Sequence, residues 1–512
     1  MFPGTHAAIA PGRPAVVMAE SGQTLTYGEL EQHSASIASA LHGLGLRRGD
    51  VIALLSDNAA EAFEVYWAAI RSGLYIVAVN WHLTADEAAY IINDSQARVL
   101  FASAGIRGLA EQIAALTPDV HHRYCYGGDI DAYRPYEVLL DPSFEALSDQ
   151  PRGAEMLYSS GTTGRPKGVK PVLLDIQVDE PGDPLVGMLA QAFGITADDR
   201  YLSPAPVYHA APLKWCGGVH SLGGTVVLMN SFDATAALRA IQDHRITVTQ
   251  VVPTMFVRLL QLPDEVRSAF DSSSLRLAVH AAAPCPPDVK QAMISWWGPI
   301  LVEYYGATEG HGITVVTTDE WLNKRGSVGR AVLGALHVCD DEGVELAPGE
   351  IGAIYFERDR AVFDYHNDPE KTASARHPSH DNWSTVGDLG YVDEDGYLFL
   401  TDRKAFMIIS GGVNIYPQEV ENVLALHPKI SDVAVIGVPD PEMGEQVKAI
   451  AELRSGQIGS DELAAELITY VRDRIAHYKA PKSVDFVDEL PRLATGKLAK
   501  GKLRQPYLEA HR

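Results

Sequence analysis

The sequence predicts an α/β protein. Its large N-terminal body is made of doubly wound α/β subdomains plus a small β-barrel-like piece, and a small mobile α+β domain follows. Three observations carry this: short, near-continuous apolar runs alternate with amphipathic stretches; Gly/Asp-punctuated hairpin segments follow them; and the last stretch mixes helix and strand patterns on its own.

From Val51 the order is VIALL, then EAFEVYWAAIRSG, then YIVAV, a helix near Glu87, and RVLFAS. It resumes with TVVLM, a helix over Thr235 to His244, TVTQVV, a further helix, LRLAV and ILVEYY. Ligands of such sheets sit beyond the strand C-termini. Two chemically dense loops fall there, AAAPCP after LRLAVH and GATEG after ILVEYY. From about Trp321, GEIGAIYFE and GYVDEDGYLFL read as hairpins. Beyond Thr401 the pattern becomes helix (PQEVENVLALH), strand (DVAVIGV), strand (VKAIAEL) and a helix opened by Ser460. The expected division is therefore residues 1–401, binding nucleotide and acid, and residues 402–512, a mobile domain on a short hinge.

Composition narrows the partners. A chain of 512 residues with net charge −24 lacks the basic footprint that nucleic acid or an anionic membrane requires. Anionic ligands must be held by local basic groups. The four cysteines lie far apart with no CxxC pair, so neither a disulfide framework nor a thiolate zinc site is indicated, and a reducing cytoplasm is the expected setting. The first twenty residues are broken by Pro and Gly and do not read as a signal peptide; no apolar run is long enough to span a bilayer. His377 and His380, in HPSHD, form no metal-ligand pattern.

The segment YSSGTTGRPKGVK, Tyr158 to Lys170, has the composition of a phosphate-wrapping loop. It departs from the GxxxxGK[ST] template, because Lys167 follows Pro166 and precedes Gly168. Ser159, Ser160, Thr162 and Thr163, with backbone N–H groups freed by Gly161 and Gly164, would do the cradling, as a flap over a triphosphate. By composition alone it could equally be a solvated turn between two strands.

Further segments follow in order: PVYHA (206 to 210), YYGATEG (304 to 310), STVGDLGYVDEDGYL (384 to 398), DRKAFMIISGGVNIYPQEVE (402 to 421) and PRLATGKLAKGKLR (491 to 504). With YSSGTTGRPKGV, and over essentially its whole length, the chain resembles the adenylate-forming superfamily of acyl-CoA synthetases, nonribosomal adenylation domains and luciferases. Its likeness is greatest to a bacterial fatty-acid or aryl-alkanoate CoA ligase.

The resemblance implies that a carboxylate attacks the α-phosphate of ATP, giving acyl-AMP and pyrophosphate, and that the acyl group then passes to coenzyme A. It implies Glu309 holding Mg²⁺, Thr308 bonding phosphate, Tyr305 stacking on adenine beside Gly306, Ala282 and Ala283, and Asp388 accepting from the ribose. Lys167 would help clamp the β- and γ-phosphates. Arg403 would meet phosphate or ribose at the hinge. Lys497 would bridge the α-phosphate and the attacking carboxylate, a task suited to a mobile ammonium. After the small domain swings, Gly411 and Gly412 would border the pantetheine path. His209, Trp215, Ala281 and His311, with Cys216, Gly217, His280, Gly306 and Gly312, would line the acyl site. The resemblance implies that His209 gates the acyl site; it is not expected to act as a base, since attack by a carboxylate needs none.

Two departures from the family pattern stand out. Ala405 occupies the usual Asp or Lys hinge position, and His280-Ala281-Ala282-Ala283-Pro284 replaces a Gly-Ala-Pro-like segment. The expected activity is an AMP-forming acyl-CoA synthetase for a fatty or other apolar acid, with a homodimer as one candidate assembly. The alternatives are loading of a carrier-protein thiol and a nucleotide-binding relative without catalysis.

Overall fold

The structure is a computed structural model, and it describes residues 1–141, 146–159, 166–403, 406–410, 413–492 and 498–509.

Two parallel sheets dominate the body. The first has six strands in the order Arg134–Pro135, His122–Tyr126, Val99–Ser103, Val51–Leu55, Tyr75–Val79, Ala154–Glu155, all parallel. VIALL, YIVAV and VLFAS are buried at every residue, as strands covered on both faces must be. The second sheet has nine strands. Its parallel core runs Leu301–Gly306, Leu277–His280, Val248–Val251, Arg200–Ser203, Thr225–Leu228, Pro14–Met18; antiparallel strands Ile313–Thr317 and Arg330–Leu333 extend one edge and Thr24–Thr26 the other.

Helix Glu61–Ile70 shows why the sheets stay together. Its residues from Ala62 to Ile70 are all buried, because apolar groups from strands of both sheets enclose it in one core. A helix apolar on every side is stable only in such a position.

The strand Arg330–Leu333 still belongs to the large sheet, so the hairpin region begins at Ala335 and not near Trp321. Trp321 itself lies on helix Thr318–Asn323 and is packed into the core. The expected barrel-like piece is a five-stranded antiparallel sheet: Ala335–Cys339, Gly352–Glu357, Asp388–Val392 and Leu398–Arg403 in that order, with Trp383–Ser384 beside Gly352–Glu357. Leu157–Ser159, Lys167–Pro171 and Phe363–Tyr365 form a small antiparallel sheet.

The C-terminal part has its own sheet, Val413–Ile415, Ile408–Ser410, Gly444–Leu453 and Ile430–Asp440, with Ser483–Val487 parallel to Gly444–Leu453. Helices Pro417–Leu424 and Asp461–Arg472 pack on it through Val420, Leu424, Leu463, Leu467 and Val471. Ser460 caps the second of these, its hydroxyl accepting from the Leu463 N–H. No helix among the described residues is long and apolar enough to cross a membrane.

Candidate active site

The loops after two neighbouring strands, Leu277–His280 and Leu301–Gly306, build the floor of the site. After His280 the chain turns through Ala281, which is buried, to Ala282 and Ala283, which are exposed. Ala282 has φ +73°, a left-handed conformation that costs an L residue about 1 kcal/mol or more. The loop is held in it between His280 and helix Pro287–Trp297.

That bracket contains a buried ion pair. Lys290 Nζ donates to Glu303 Oε2 at 2.6 Å, and both side chains are almost wholly enclosed. Burial pushes the Glu303 carboxyl up, against the pull of Lys290. His280, opposite Glu303 in the ladder, is fully buried with no hydrogen-bond partner at either ring nitrogen among the described residues, and its Nε2 lies 3.6 Å from Glu303 Oε2. Burial and the Lys290 charge hold its pKa well below the ordinary value, so it is neutral.

Side chains alternate along Leu301–Gly306. Tyr305 packs on the side of Phe356 and the antiparallel sheet, and its hydroxyl donates to Asp388 Oδ2 at 2.7 Å. The residue expected at adenine and the one expected at ribose are thus joined. Arg403 stands opposite Asp388 in the ladder of Asp388–Val392 with Leu398–Arg403. Gly306 is the last residue of its strand and pairs with Ile313.

Beyond it, Thr308 is partly open and Glu309 buried. The Tyr365 hydroxyl donates to Glu309 Oε1 at 2.8 Å and orients the carboxylate. Gly310 has φ +63°, which only glycine adopts without strain, and its carbonyl accepts from Arg358 Nη1 at 3.0 Å. His311 is not at an open wall. It is fully enclosed, edge-on to Phe356 at 5.1 Å, with both ring nitrogens unpartnered among the described residues; burial holds it neutral, with Arg358 adding to the effect against Glu309 and Asp388. Gly312 cannot take a side chain, since a Cβ would lie 2.0 Å from the Phe356 ring.

Ser159 ends the strand Leu157–Ser159, and Lys167 opens Lys167–Pro171, paired with it in register. The Gly/Ser/Thr loop therefore joins two antiparallel strands. Lys167 Nζ donates to Asp368, so its charge is shared with a carboxylate. Ser160, Gly161, Thr162, Thr163 and Gly164 lie outside the described residues, as do Ala405, Gly411, Gly412 and Lys497. Gly411 and Gly412 are flanked by the strands Ile408–Ser410 and Val413–Ile415.

His209 is the N-cap residue of helix Ala210–Leu222, its ring 4.4 Å from that of Tyr208. Trp215, Cys216 and Gly217 on this helix are all buried, and burial pushes the Cys216 thiol up to about 12. His377 and His380 pack on Trp383 instead of converging on a metal, and no group of three or more His, Cys, Asp or Glu placed to hold a metal occurs among the described residues.

Lys290, Glu303, Tyr304, Arg358 and Tyr365 were not singled out from sequence. For Tyr304 a signal existed: next to Tyr305 on a strand, it must face the opposite side. Tyr365, on the strand Phe363–Tyr365, and Arg358, just past the strand Gly352–Glu357, come from elsewhere in the chain and carry none.

The fold, with Tyr305 paired to Asp388 and Glu309 oriented beyond the same strand, is that of the adenylate-forming enzymes. The chain belongs to the AMP-binding enzyme family: the family's main domain matches residues 5–364 and its C-terminal domain residues 419–497. It is 35% identical over 514 residues to a feruloyl-CoA synthase from Amycolatopsis, covering 99% of this chain and 98% of that one. It is 33% identical to a fatty acid acyl-carrier-protein ligase from Streptomyces coeruleorubidus, over 98% of this chain and 95% of that protein. Among solved structures, ATP-bound MatB from Rhodopseudomonas palustris superposes with a TM-score of 0.82 at 29% identity, covering all of both chains.

Proposed function

We propose that the protein is an AMP-forming acid–thiol ligase: it condenses a carboxylic acid with ATP, releasing pyrophosphate, and passes the acyl group from acyl-AMP to the thiol of coenzyme A, releasing AMP. The observation that carries this reading is the Tyr305–Asp388 bond near Glu309: it supports an aromatic ring for adenine, a carboxylate for ribose and a carboxylate for a hard cation near one strand end.

In this reading adenine lies on the Tyr305 ring against the exposed Ala282–Ala283 backbone, and Asp388 accepts from the ribose hydroxyls. One carboxylate with phosphate oxygens and water suits Mg²⁺, which rarely takes an all-protein cage. Glu309, oriented by Tyr365, would hold it, and when bound it would neutralise phosphate charge. Thr308 donates to a phosphate oxygen. Lys497 reaches the α-phosphate and the attacking carboxylate oxygen, where charge develops on both sides of phosphorus. The Ser159–Gly164 segment and Lys167 clamp the pyrophosphate that leaves.

Residues 402–512 move as a unit on residues 1–401, first delivering Lys497 and then exchanging it for Gly411 and Gly412 beside the pantetheine arm. The setting is the cytoplasm, and any assembly is a homodimer. Kinship to a carrier-protein ligase supports a second reading, in which the thiol belongs to a carrier protein. Acid-dependent release of AMP and pyrophosphate with CoA present tests the first reading; acyl-AMP that accumulates despite CoA, and is discharged by a carrier protein, would favour the second.

A further inference from the structure

The strand that presents Tyr305 to the nucleotide presents Tyr304 to the other side. Tyr304 packs on the core around helix Ala210–Leu222, whereas Tyr305 packs with Phe356. Four rings meet there. Trp215, fully enclosed, stacks on Tyr201 at 5.7 Å and 23° and on Tyr304 at 6.3 Å and 27°; Phe193 lies 5.2 Å from Trp215 and 6.4 Å from Tyr304.

The helix behind them has no slack. A Cβ at Gly217 would lie 2.2 Å from the Tyr66 hydroxyl, and one at Gly218 would lie 2.2 Å from Leu189 Cδ1. Trp215, Cys216, Gly217, His280 and Ala281, expected to line the acyl site, are all buried. What stays partly open beside the strand end is Tyr304 itself, with Gly306, Ile313, His209, Ala210 and Ala211. Tyr304 is two residues from Gly306, about 7 Å along a strand. That is a fraction of the length of an extended long-chain fatty acid.

We infer that Tyr304, backed by Trp215, is the end wall of the acyl site and restricts the enzyme to compact acids, short aliphatic or single-ring aryl carboxylates, excluding long-chain fatty acids. This rests on the acid–thiol ligase reading. Burial pushes the Tyr304 phenol up to about 12, and its ring stacks on the Trp215 indole, so the wall is neutral and held in place. A second carboxylate at the far end of the acid would meet no charge on these rings. Among compact acids the apolar ones are therefore favoured.

The test is acid- and CoA-dependent AMP release across straight-chain acids from acetate to palmitate, with benzoate and phenylacetate, for the wild type, Tyr304→Ala and Tyr304→Phe. Wild-type kcat/KM should peak among the compact acids and fall about tenfold or more per methylene once the chain meets the wall. Tyr304→Ala should move the optimum to longer acids, with kcat/KM for them rising at least tenfold, whereas Tyr304→Phe, which keeps the ring, should keep the wild-type ranking. Wild-type activity on palmitate equal to that on compact acids would overturn the inference and leave the ligase reading intact. An unchanged ranking in a folded Tyr304→Ala enzyme would also overturn it. No AMP release with any acid would overturn the ligase reading and this inference with it.

Discussion

Replacing Lys290 by Met should destabilise the strand Leu301–Gly306 far more than a surface substitution would. In the folded protein Lys290 is 0% and Glu303 6% exposed, with Nζ and Oε2 2.6 Å apart. The substitution leaves a carboxylate buried beside a neutral histidine, and breaking such a pair from one side costs about 3–5 kcal/mol. Removing both partners, as Lys290→Met with Glu303→Leu, leaves no orphaned charge and should return stability to within about 1–2 kcal/mol of the wild type. The sign of the pH dependence is fixed too. Burial raises the Glu303 pKa above its unfolded value, and without Lys290 it rises further. The folded single mutant then takes up a proton that the unfolded chain does not. Its deficit is therefore full at high pH and narrows as pH falls through the raised pKa. Because a chain of several units need not unfold in one step, the measurement is amide hydrogen exchange over Leu301–Gly306 as a function of pH. A single mutant within about 1 kcal/mol of the wild type, or a coupling energy below about 0.5 kcal/mol, would refute the reasoning. KM for ATP should rise alongside, since the pair braces the loop carrying Ala282 and Ala283.

Tyr305→Phe keeps the ring for adenine and loses the bond to Asp388; steady-state kinetics should show a several-fold higher KM for ATP with a smaller change in kcat, and Tyr305→Ala should cost more. His220 is fully buried, accepts from Trp67 Nε1 at Nδ1 and presents Nε2 to the Ala15 carbonyl, and burial pulls it down to about 4. A depressed histidine contributes stability that is full above about pH 6.5 and is lost as pH falls toward 4, about 3 kcal/mol in all. In His220→Gln the slope of stability against pH in that window should shrink by about one proton, and an unchanged slope in a denaturation series would contradict this. Lys497→Ala should abolish acid-dependent ATP–pyrophosphate exchange while sparing thioester formation from supplied acyl-AMP; equal loss of both half-reactions would make the lysine structural.

The parallel strands were legible because their signal is local: VIALL and YIVAV are buried on both faces and apolar throughout. The strand Pro14–Met18 was not, because its partner Thr225–Leu228 lies some two hundred residues on. The loop ends bearing Ala282 and Glu309 were placed by the rule that ligands sit beyond strand C-termini. The bonds that tune them were invisible. Tyr305 to Asp388, Tyr365 to Glu309 and Arg358 to Gly310 each join separate strands or loops through side chains whose spacing has no period. His311 was expected at the acyl site from the family resemblance. The Phe356 ring, from another sheet, is what encloses it.

The most direct test of the ligase account uses a compact carboxylic acid labelled with ¹⁸O in the carboxyl group, turned over with ATP, Mg²⁺ and CoA, the products being read by mass spectrometry. Attack of the carboxylate on the α-phosphate predicts one labelled oxygen in each AMP released and none in pyrophosphate. Label in inorganic phosphate with ADP as co-product, or unlabelled AMP, would contradict it.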